Sequence, residues 1–141
     1  MMVEFIAGKV MACGGYDRTK VGDLNRCWTL DLDCGEWTIL AGTMTYPVYK
    51  AASVAFRSRI MLFGGSFSNT VTNHRNIVQE YFVGNDTWLY RSDLDMPEAK
   101  GQHCAVNVDD DLIFVFGGYT TLSLDSAHVL NYTSHQWIEL P

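Results

Sequence analysis

The sequence predicts an all-β fold made of three similar four-stranded antiparallel units. Two recurring features predict it: a pair of glycines after a short apolar run, and one tryptophan after each pair. They recur as Gly14-Gly15 with Trp37, Gly64-Gly65 with Trp88, and Gly117-Gly118 with Trp137. The glycine pairs lie 50 and then 53 residues apart, and the tryptophans 51 and then 49. Because adjacent glycines lose much backbone entropy on folding, their regular recurrence indicates a repeated structural unit.

Each unit contains four segments with the pattern of a strand. The apolar runs that end at the glycines are short enough to be buried strands, and they cover 10–13, 60–63 and 112–116. Another apolar segment precedes them across a polar turn, at 52–56 and 104–106. A third strand is predicted at 26–32, 77–83 and 127–132, and a fourth begins at each tryptophan. No capping box introduces a helical period, so no helix is predicted.

A period of about 50 residues with glycines and aromatic residues at fixed points is typical of the blades of a β-propeller. We therefore predict one repeat region over residues 1–141, with blades at 1–42, 49–93 and 101–141.

The composition favours a folded domain and excludes several classes of partner. Hydrophobic residues make up 48% of the chain and charged residues 18%, which argues against disorder. The net charge is −6 and the lysines and arginines do not cluster, so we expect no nucleic acid as a partner. The apolar runs are too short to span a membrane, and residues 1–6 lack the pattern of a signal peptide. We expect no membrane partner either.

The repeated marks resemble the kelch repeat, in which an apolar strand ends in Gly-Gly and a tyrosine stands seven residues before a tryptophan. The resemblance covers nearly the whole chain and implies a propeller whose strands run from a central axis outward. It also implies that the three tryptophans begin the outermost strands and pack between blades. Only Tyr81 keeps the tyrosine, because Leu30 and Leu130 stand at that position in the other repeats. The leucines keep an apolar side chain but lose the hydroxyl group.

Two of the four cysteines, Cys13 and Cys27, face each other across a predicted hairpin. Opposed side chains on paired strands are close enough for a disulfide, and two buried thiols are the alternative. Cys34 and Cys104 have no evident partner, and the spacing of the four does not indicate a zinc site. The motif around Cys27 resembles secreted invertebrate kelch proteins. That resemblance favours an extracellular location, with the cytoplasm as the alternative.

Other polar segments are better explained by the fold than by chemistry. The acidic segments 31–36 and 109–111 fit turns, where Asp is favoured, better than calcium loops. Asn85 and Asn131 match the glycosylation acceptor pattern, which matters only in a secreted protein. The four histidines are scattered, and no phosphate loop or nucleophile motif is present. We expect no enzyme activity, no cofactor and no metal.

The predicted function is a protein-interaction scaffold that binds through loops at one end of the blades. The resemblance implies this role, and loops on a rigid scaffold are the usual place for recognition. The loops cover 16–24, 41–49, 66–75, 92–101 and 119–124, and the residues expected to bind are Arg18, Lys20, Tyr46, Tyr49, Asn69, Arg75, Lys100 and Tyr119. The alternatives are a kelch-propeller enzyme, of copper-oxidase or sugar-modifying type, and an extracellular carbohydrate or adhesion module.

Three blades are fewer than the four to eight of a typical propeller. Two apolar faces would therefore stay open, and such faces associate or aggregate. We expect that further kelch blades cover them, supplied by a longer chain or by a second copy in a homodimer.

Overall fold

The computed structural model describes residues 1–17, 22–23, 25–67 and 73–141, and its main strands form three four-stranded antiparallel sheets. Sheet 1 contains β1 (Met2–Ile6), β2 (Lys9–Cys13), β5 (Cys27–Asp31) and β6 (Trp37–Ile39). Sheet 2 contains β7 (Ala52–Phe56), β8 (Arg59–Phe63), β9 (Val78–Phe82) and β10 (Thr87–Tyr90). Sheet 3 contains β11 (Cys104–Asn107), β12 (Leu112–Phe116), β13 (Ala127–Asn131) and β14 (Gln136–Leu140). The predicted all-β fold is confirmed.

Two small elements lie outside these sheets and were not predicted. The strands β3 (Tyr16–Asp17) and β4 (Gly22–Asp23) pair within the loop that follows the first glycine pair. A single turn of 3-10 helix covers Ser92–Leu94. No helix in the described residues is long and apolar enough to cross a membrane.

The strands of each sheet follow one another in space as they do in sequence. β7 contacts both β1 and β11, so the first strands of the three sheets lie side by side with sheet 2 in the middle. Each glycine pair directly follows the second strand of its sheet. We call this end of the sheets the glycine end and the other end, with the turns that join first to second and third to fourth strands, the opposite end.

The glycine pairs let the connections between sheets approach the backbone closely. A Cβ atom on Gly64 would lie 2.5 Å from the carbonyl oxygen of Lys100, and one on Gly14 would lie 2.6 Å from that of Val48. Gly64 also has a φ of +58°, which favours glycine. The connection after sheet 1 is therefore packed against the first glycine pair, and the connection after sheet 2 against the second.

Two separate hydrophobic cores lie on the two faces of sheet 2. The first core lies between sheets 1 and 2 and buries Met2, Met11, Cys13, Cys27, Met44, Val48, Ile60, Leu62, Ile77 and Tyr81. The second core lies between sheets 2 and 3 and buries Ala52, Val54, Phe56, Met61, Phe63, Val78, Leu94, Met96, Ile113, Val115, Leu130 and Tyr132. Alternate residues of β8 enter different cores, as expected for a strand that is buried on both faces.

The tryptophans only partly follow the expectation that all three pack between sheets. Trp88 packs against the first core and Trp137 against the second. Trp37 is 56% exposed. Trp88 and Trp137 each face the sheet that precedes their own in the chain. Trp37 is exposed because the described residues contain no sheet before sheet 1.

The faces of sheets 1 and 3 that point away from sheet 2 are apolar and exposed. The outer face of sheet 1 presents Val3, Phe5, Trp37 and Ile39, and the outer face of sheet 3 presents Val106, Phe116, Ile138 and Leu140. Within the described residues, the three sheets thus form an open array with two uncovered apolar faces.

The structure joins Cys13 to Cys27 by a disulfide. The two residues are direct partners in the pairing of β2 with β5, and their Cα atoms lie 4.1 Å apart. Cys34 and Cys104 are free and exposed.

Candidate binding surface

Loops from all three sheets meet in one surface at the glycine end. Backbone bridges join Tyr49 to Ser66 and Ser66 to His74, which links the connection after sheet 1 to the long loop of sheet 2. A Cβ on Gly101 would lie 2.8 Å from Nδ1 of His74, and Gly101 forms a bridge with Tyr119 of sheet 3. We call the surface formed by these loops the loop face; its main side chains are Tyr16, Tyr46, Tyr49, Phe67, His74, Arg75 and Tyr119.

Aromatic rings on the loop face are held in place by their neighbours. The rings of Tyr16 and Tyr49 lie 5.7 Å apart, and the Lys50 ammonium lies 5.3 Å from the centre of the Tyr49 ring. Tyr46 meets Tyr90 edge to face at 5.3 Å. These rings lose little further side-chain entropy when a partner binds, because their positions are already fixed.

The backbone of Tyr46 is fixed by a buried amide. Gln79 accepts a hydrogen bond from the Tyr46 amide nitrogen at 2.8 Å and donates one to its carbonyl oxygen at 3.0 Å.

Tyr90 donates its hydroxyl to the Asp95 carboxylate at 2.7 Å. That hydrogen bond, followed by burial, raises the pKa of Tyr90 to about 12, so the phenol stays neutral at pH 7.

Arg75 is the central cation of the loop face. Its guanidinium carbon lies 4.7 Å from the centre of the Phe67 ring and 5.9 Å from that of the Tyr46 ring. Its backbone amide donates to the Gly65 carbonyl at 2.8 Å, and its carbonyl accepts from the Lys100 amide at 3.2 Å. Arg75 also lines a recess of about 280 Å³ together with Asn73, His74, Asn76 and Ile77.

Two histidines lie at the loop face, His74 in the face itself and His103 buried beneath it. Nδ1 of His74 lies 2.8 Å from the hydroxyl of Ser66, and its ring meets the Tyr119 ring edge to face. His103 is 6% exposed, and within the described residues neither of its ring nitrogens makes a hydrogen bond. Burial, followed by the charge of Lys100, lowers the pKa of His103 to about 4. His103 is therefore neutral at pH 7.

The pair of Ser66 and His74 is not a nucleophile that a substrate can reach. Ser66 is buried, and its backbone is held between two loops. Among the residues that the structure describes, no three His, Cys, Asp or Glu side chains are grouped as a metal site needs. The arrangement is suited to binding through rings, an arginine and backbone groups.

The structure brings Tyr46, Tyr49, Arg75 and Tyr119 together but places Lys100 elsewhere. Lys100 is 1% exposed, and its ammonium donates to the Ser126 hydroxyl at 3.0 Å and pairs with Glu98 at 3.5 Å. It holds sheet 2 to sheet 3 beneath the surface, so we remove it from the binding residues. Arg18, Lys20 and Asn69 were also expected to bind, and they lie outside the described residues.

Three residues of the surface were missed by the sequence reasoning. Phe67 and His74 stand in a predicted loop without a motif of their own, and their role depends on contacts with other loops. Leu122 is 73% exposed in the loop after β12, three residues after Tyr119 in sequence. An apolar side chain at the tip of a loop is the signal that points to Leu122.

A family model described as the KLHDC2/KLHL20/DRC7 Kelch-repeats domain matches residues 1–141 of the chain. No curated protein matches the chain.

Proposed function

Because the chain belongs to the kelch-repeat family, we propose that it is a protein-interaction module that binds its partner through the loop face. Kelch-repeat domains are in general propeller modules for protein interaction and are typically not enzymes. The proposed role is therefore binding without catalysis.

The observation that carries the proposal is the convergence of three loops on one surface that holds several tyrosines and Arg75. Tyr49, Arg75 and Tyr119 come from different parts of the chain and are joined through backbone bridges and ring contacts. Tyrosine and arginine are enriched among the residues that dominate protein interfaces. A surface that is already ordered binds with a smaller loss of conformational entropy.

Two exposed leucines at opposite ends of the sheets allow a matched test of the loop face. Leu122 lies in the loop after β12 at the glycine end, and Leu32 lies in the turn after β5 at the opposite end. We expect that Leu122→Ser combined with Tyr119→Ala removes proteins captured by the parent chain from a cell extract, and that Leu32→Ser keeps them. Mass spectrometry of the captured proteins measures both. If the loop-face variant retains every partner while remaining folded, the proposal is wrong.

We also propose that another kelch blade covers each of the two open faces. The outer faces of sheets 1 and 3 are exposed and apolar. They present Val3 and Phe5 on sheet 1, and Phe116 and Ile138 on sheet 3. Exposed apolar faces of this kind are typical of association surfaces. A longer chain or a second copy can supply the blades. Light scattering of the 141-residue chain distinguishes them: a sharp dimer supports the second copy, and a soluble, cooperatively folding monomer contradicts both.

A further inference from the structure

A cleft of about 210 Å³ lies between sheets 1 and 2, beside the turns of the opposite end. Both sheets contribute to it. The aliphatic side chains that line it are Ile6, Met11 and Leu40 from sheet 1 and Val83 from sheet 2, and the polar ones include Lys9 and Thr29. We call it the sheet 1–2 cleft. It is separate from the loop face, which lies at the glycine end.

The equivalent position between sheets 2 and 3 is filled by two aromatic rings. The strand registers align Ile6 of sheet 1 with Phe56 of sheet 2, and Val83 of sheet 2 aligns with Tyr132 of sheet 3, since each directly follows the third strand of its sheet. The Phe56 and Tyr132 rings lie 5.0 Å apart. An isoleucine and a valine occupy less space than these two rings, so the sheet 1–2 cleft stays open.

Two further substitutions between the repeats enlarge the sheet 1–2 cleft. Leu40 stands where sheet 2 has Arg91, because the amide of each donates to the first residue of the third strand. Thr29 pairs with the second strand as Glu80 does in sheet 2. Arg91 and Glu80 both reach the Tyr132 hydroxyl. Leucine and threonine are shorter, and the cleft therefore has room for a ring that the chain itself does not supply.

The sheet 1–2 cleft keeps the hydrogen-bonding groups that a phenol needs. Between sheets 2 and 3, the Tyr132 hydroxyl accepts from Arg59 at 2.6 Å and donates to Glu80 at 2.9 Å. Lys9 aligns with Arg59 and is again a donor. Thr29 aligns with Glu80, and its hydroxyl oxygen is again an acceptor. A donor and an acceptor are thus retained where the ring is missing.

The charges around the sheet 1–2 cleft favour an uncharged ligand. The Lys9 ammonium pairs with Asp31 at 3.6 Å. Asp86 also lines the cleft, and its carboxylate accepts hydrogen bonds from the Tyr81 hydroxyl and two backbone amides. An anion would meet two carboxylates and one ammonium group, which is unfavourable. A cation would find both carboxylates already engaged within the chain.

We propose that the sheet 1–2 cleft binds a small uncharged phenol, with its ring against Ile6 and Val83 and its hydroxyl between Lys9 and Thr29. The volume is sufficient, because an apolar cavity of about 150 Å³ holds benzene. The ring takes the place that the Tyr132 ring fills between sheets 2 and 3, and the hydroxyl has the same pair of hydrogen-bonding groups. The site lies away from the loop face, so the proposal does not depend on the proposed function.

Titration with p-cresol tests the proposal directly. The readout is the methyl signals of Ile6, Leu40 and Val83 in a ¹H–¹³C NMR spectrum, and toluene and benzoate are the matched probes. We expect a saturable shift with p-cresol, binding at least about fivefold weaker with toluene because it lacks the hydroxyl group, and no saturable shift with benzoate. No saturable shift with p-cresol, equal binding of toluene, or comparable binding of benzoate would each overturn the proposal.

Variants place the ligand in the sheet 1–2 cleft. Val83→Tyr introduces the side chain that sheet 3 carries at this position, and it should abolish p-cresol binding because the new ring fills the space. Thr29→Val keeps the shape but removes the acceptor, so it should weaken the binding of p-cresol and leave that of toluene unchanged. Val108→Thr, at an exposed position of sheet 3, is the control and should change neither.

Thermal unfolding checks that each variant is folded. A folded Val83→Tyr chain that still binds p-cresol would show that the ligand lies outside the cleft. A Thr29→Val chain that binds p-cresol as tightly as the parent would contradict the proposed contact with the hydroxyl group.

Discussion

The two cores on either side of sheet 2 have the same architecture but different chemistry. The first core consists of methionines, aliphatic residues, Tyr81 and a disulfide, and its polar contacts are neutral or partly exposed, as where Gln79 bonds to the Tyr46 backbone. The second core encloses a carboxylate: Glu80 is 0% exposed and bonds to Arg59, Arg91 and the Tyr132 hydroxyl. One repeated sheet thus packs against its two neighbours by different means.

Because of this difference, the two cores respond differently to substitution. An apolar core tolerates changes that preserve volume, because its contacts are not directional. A buried ionic group fixes its partners in one geometry, and the loss of one member leaves the others buried and unpaired. We therefore expect single substitutions to disturb the contact between sheets 2 and 3 more than the contact between sheets 1 and 2.

The largest expected effect is at Glu80. Its replacement by alanine removes the carboxylate partner of Arg59 and leaves Arg91 with Asp93 alone, and the Tyr132 hydroxyl loses its acceptor. We expect the free energy of unfolding to fall by about 3 kcal/mol, the lower end for buried pairs because Arg59 reaches solvent. Urea unfolding measures it. Glu4→Ala is the matched control in the first core, where among the described residues Glu4 accepts only the Ser53 hydroxyl, and equal losses for the two variants would contradict the comparison.

The disulfide is expected to be the strongest single element of the first core. It links residues 14 positions apart in sequence, and closing a loop of that length stabilises a fold by about 3 kcal/mol in the chain-entropy model. We expect Cys13→Ala with Cys27→Ala to lower the unfolding free energy by up to that amount. Intact mass before and after reduction, with peptide mapping, checks the bond in the parent chain. Four free thiols in protein from an oxidising host would contradict the bond.

A pH-dependent loss of stability is expected from His103 at the glycine end of the second core. Its folded pKa of about 4 lies below the ordinary value of 6.5, because burial and Lys100 disfavour the charged ring. Between these pH values the unfolded chain binds a proton that the folded chain does not, so stability is fully present above about pH 6.5 and falls as the pH drops towards 4. The loss reaches about 3 kcal/mol at pH 4.

Comparison of the parent chain with His103→Leu isolates this contribution. Asp31, Asp93 and Asp111 also have lowered pKa values, from hydrogen bonds to their carboxylates, so both proteins lose some stability in acid. We expect the parent to lose more than the variant between pH 7 and pH 4.5 in urea unfolding. Parallel curves for the two proteins would show that His103 does not titrate abnormally.

The repeat period could predict the sheets because each strand carries its own pattern of apolar residues and its own boundary. The position of the hairpin turn in the first unit also predicted that Cys13 lies opposite Cys27, since the register of a hairpin follows from its centre. The burial of Lys100 was missed, although the two connections offered a signal. Val48 follows Met44 by four residues, and Lys100 follows Met96 by the same number, so the two connections can be aligned. The carbonyl oxygens of Val48 and Lys100 each lie close to the first glycine of a pair. Because Val48 is buried, this alignment places Lys100 inside as well.

The loop face could be predicted only in part, for a physical reason. Local sequence indicates that Tyr49, Arg75 and Tyr119 lie in loops, but the contacts that join these loops are made between distant segments. The stacking of Arg75 on Phe67 and Tyr46 depends on the tertiary packing of separate connections. Side-chain contacts of this kind have no periodicity in the sequence.

The smallest expected effect compares two tryptophans at equivalent positions. Trp137 packs against the second core and donates its indole N–H to the Leu94 carbonyl at 3.0 Å, whereas Trp37 is 56% exposed. In a monomeric chain we expect Trp137→Phe to lower the unfolding free energy by about 1–2 kcal/mol, since the Leu94 carbonyl loses its donor. Trp37→Phe should stay within about 0.5 kcal/mol, as for a surface substitution. Urea unfolding at low protein concentration measures both.

The same pair of variants tests whether another blade covers sheet 1. Trp37 and Trp137 occupy the same place in their sheets, and each faces the position of a preceding sheet. If a second copy covers the outer face of sheet 1, raising the protein concentration should stabilise the parent chain and make Trp37→Phe as costly as Trp137→Phe, because both indoles are then buried between sheets. If the cost at Trp37 stays small at every concentration while the chain remains monomeric, no second copy covers the outer face of sheet 1.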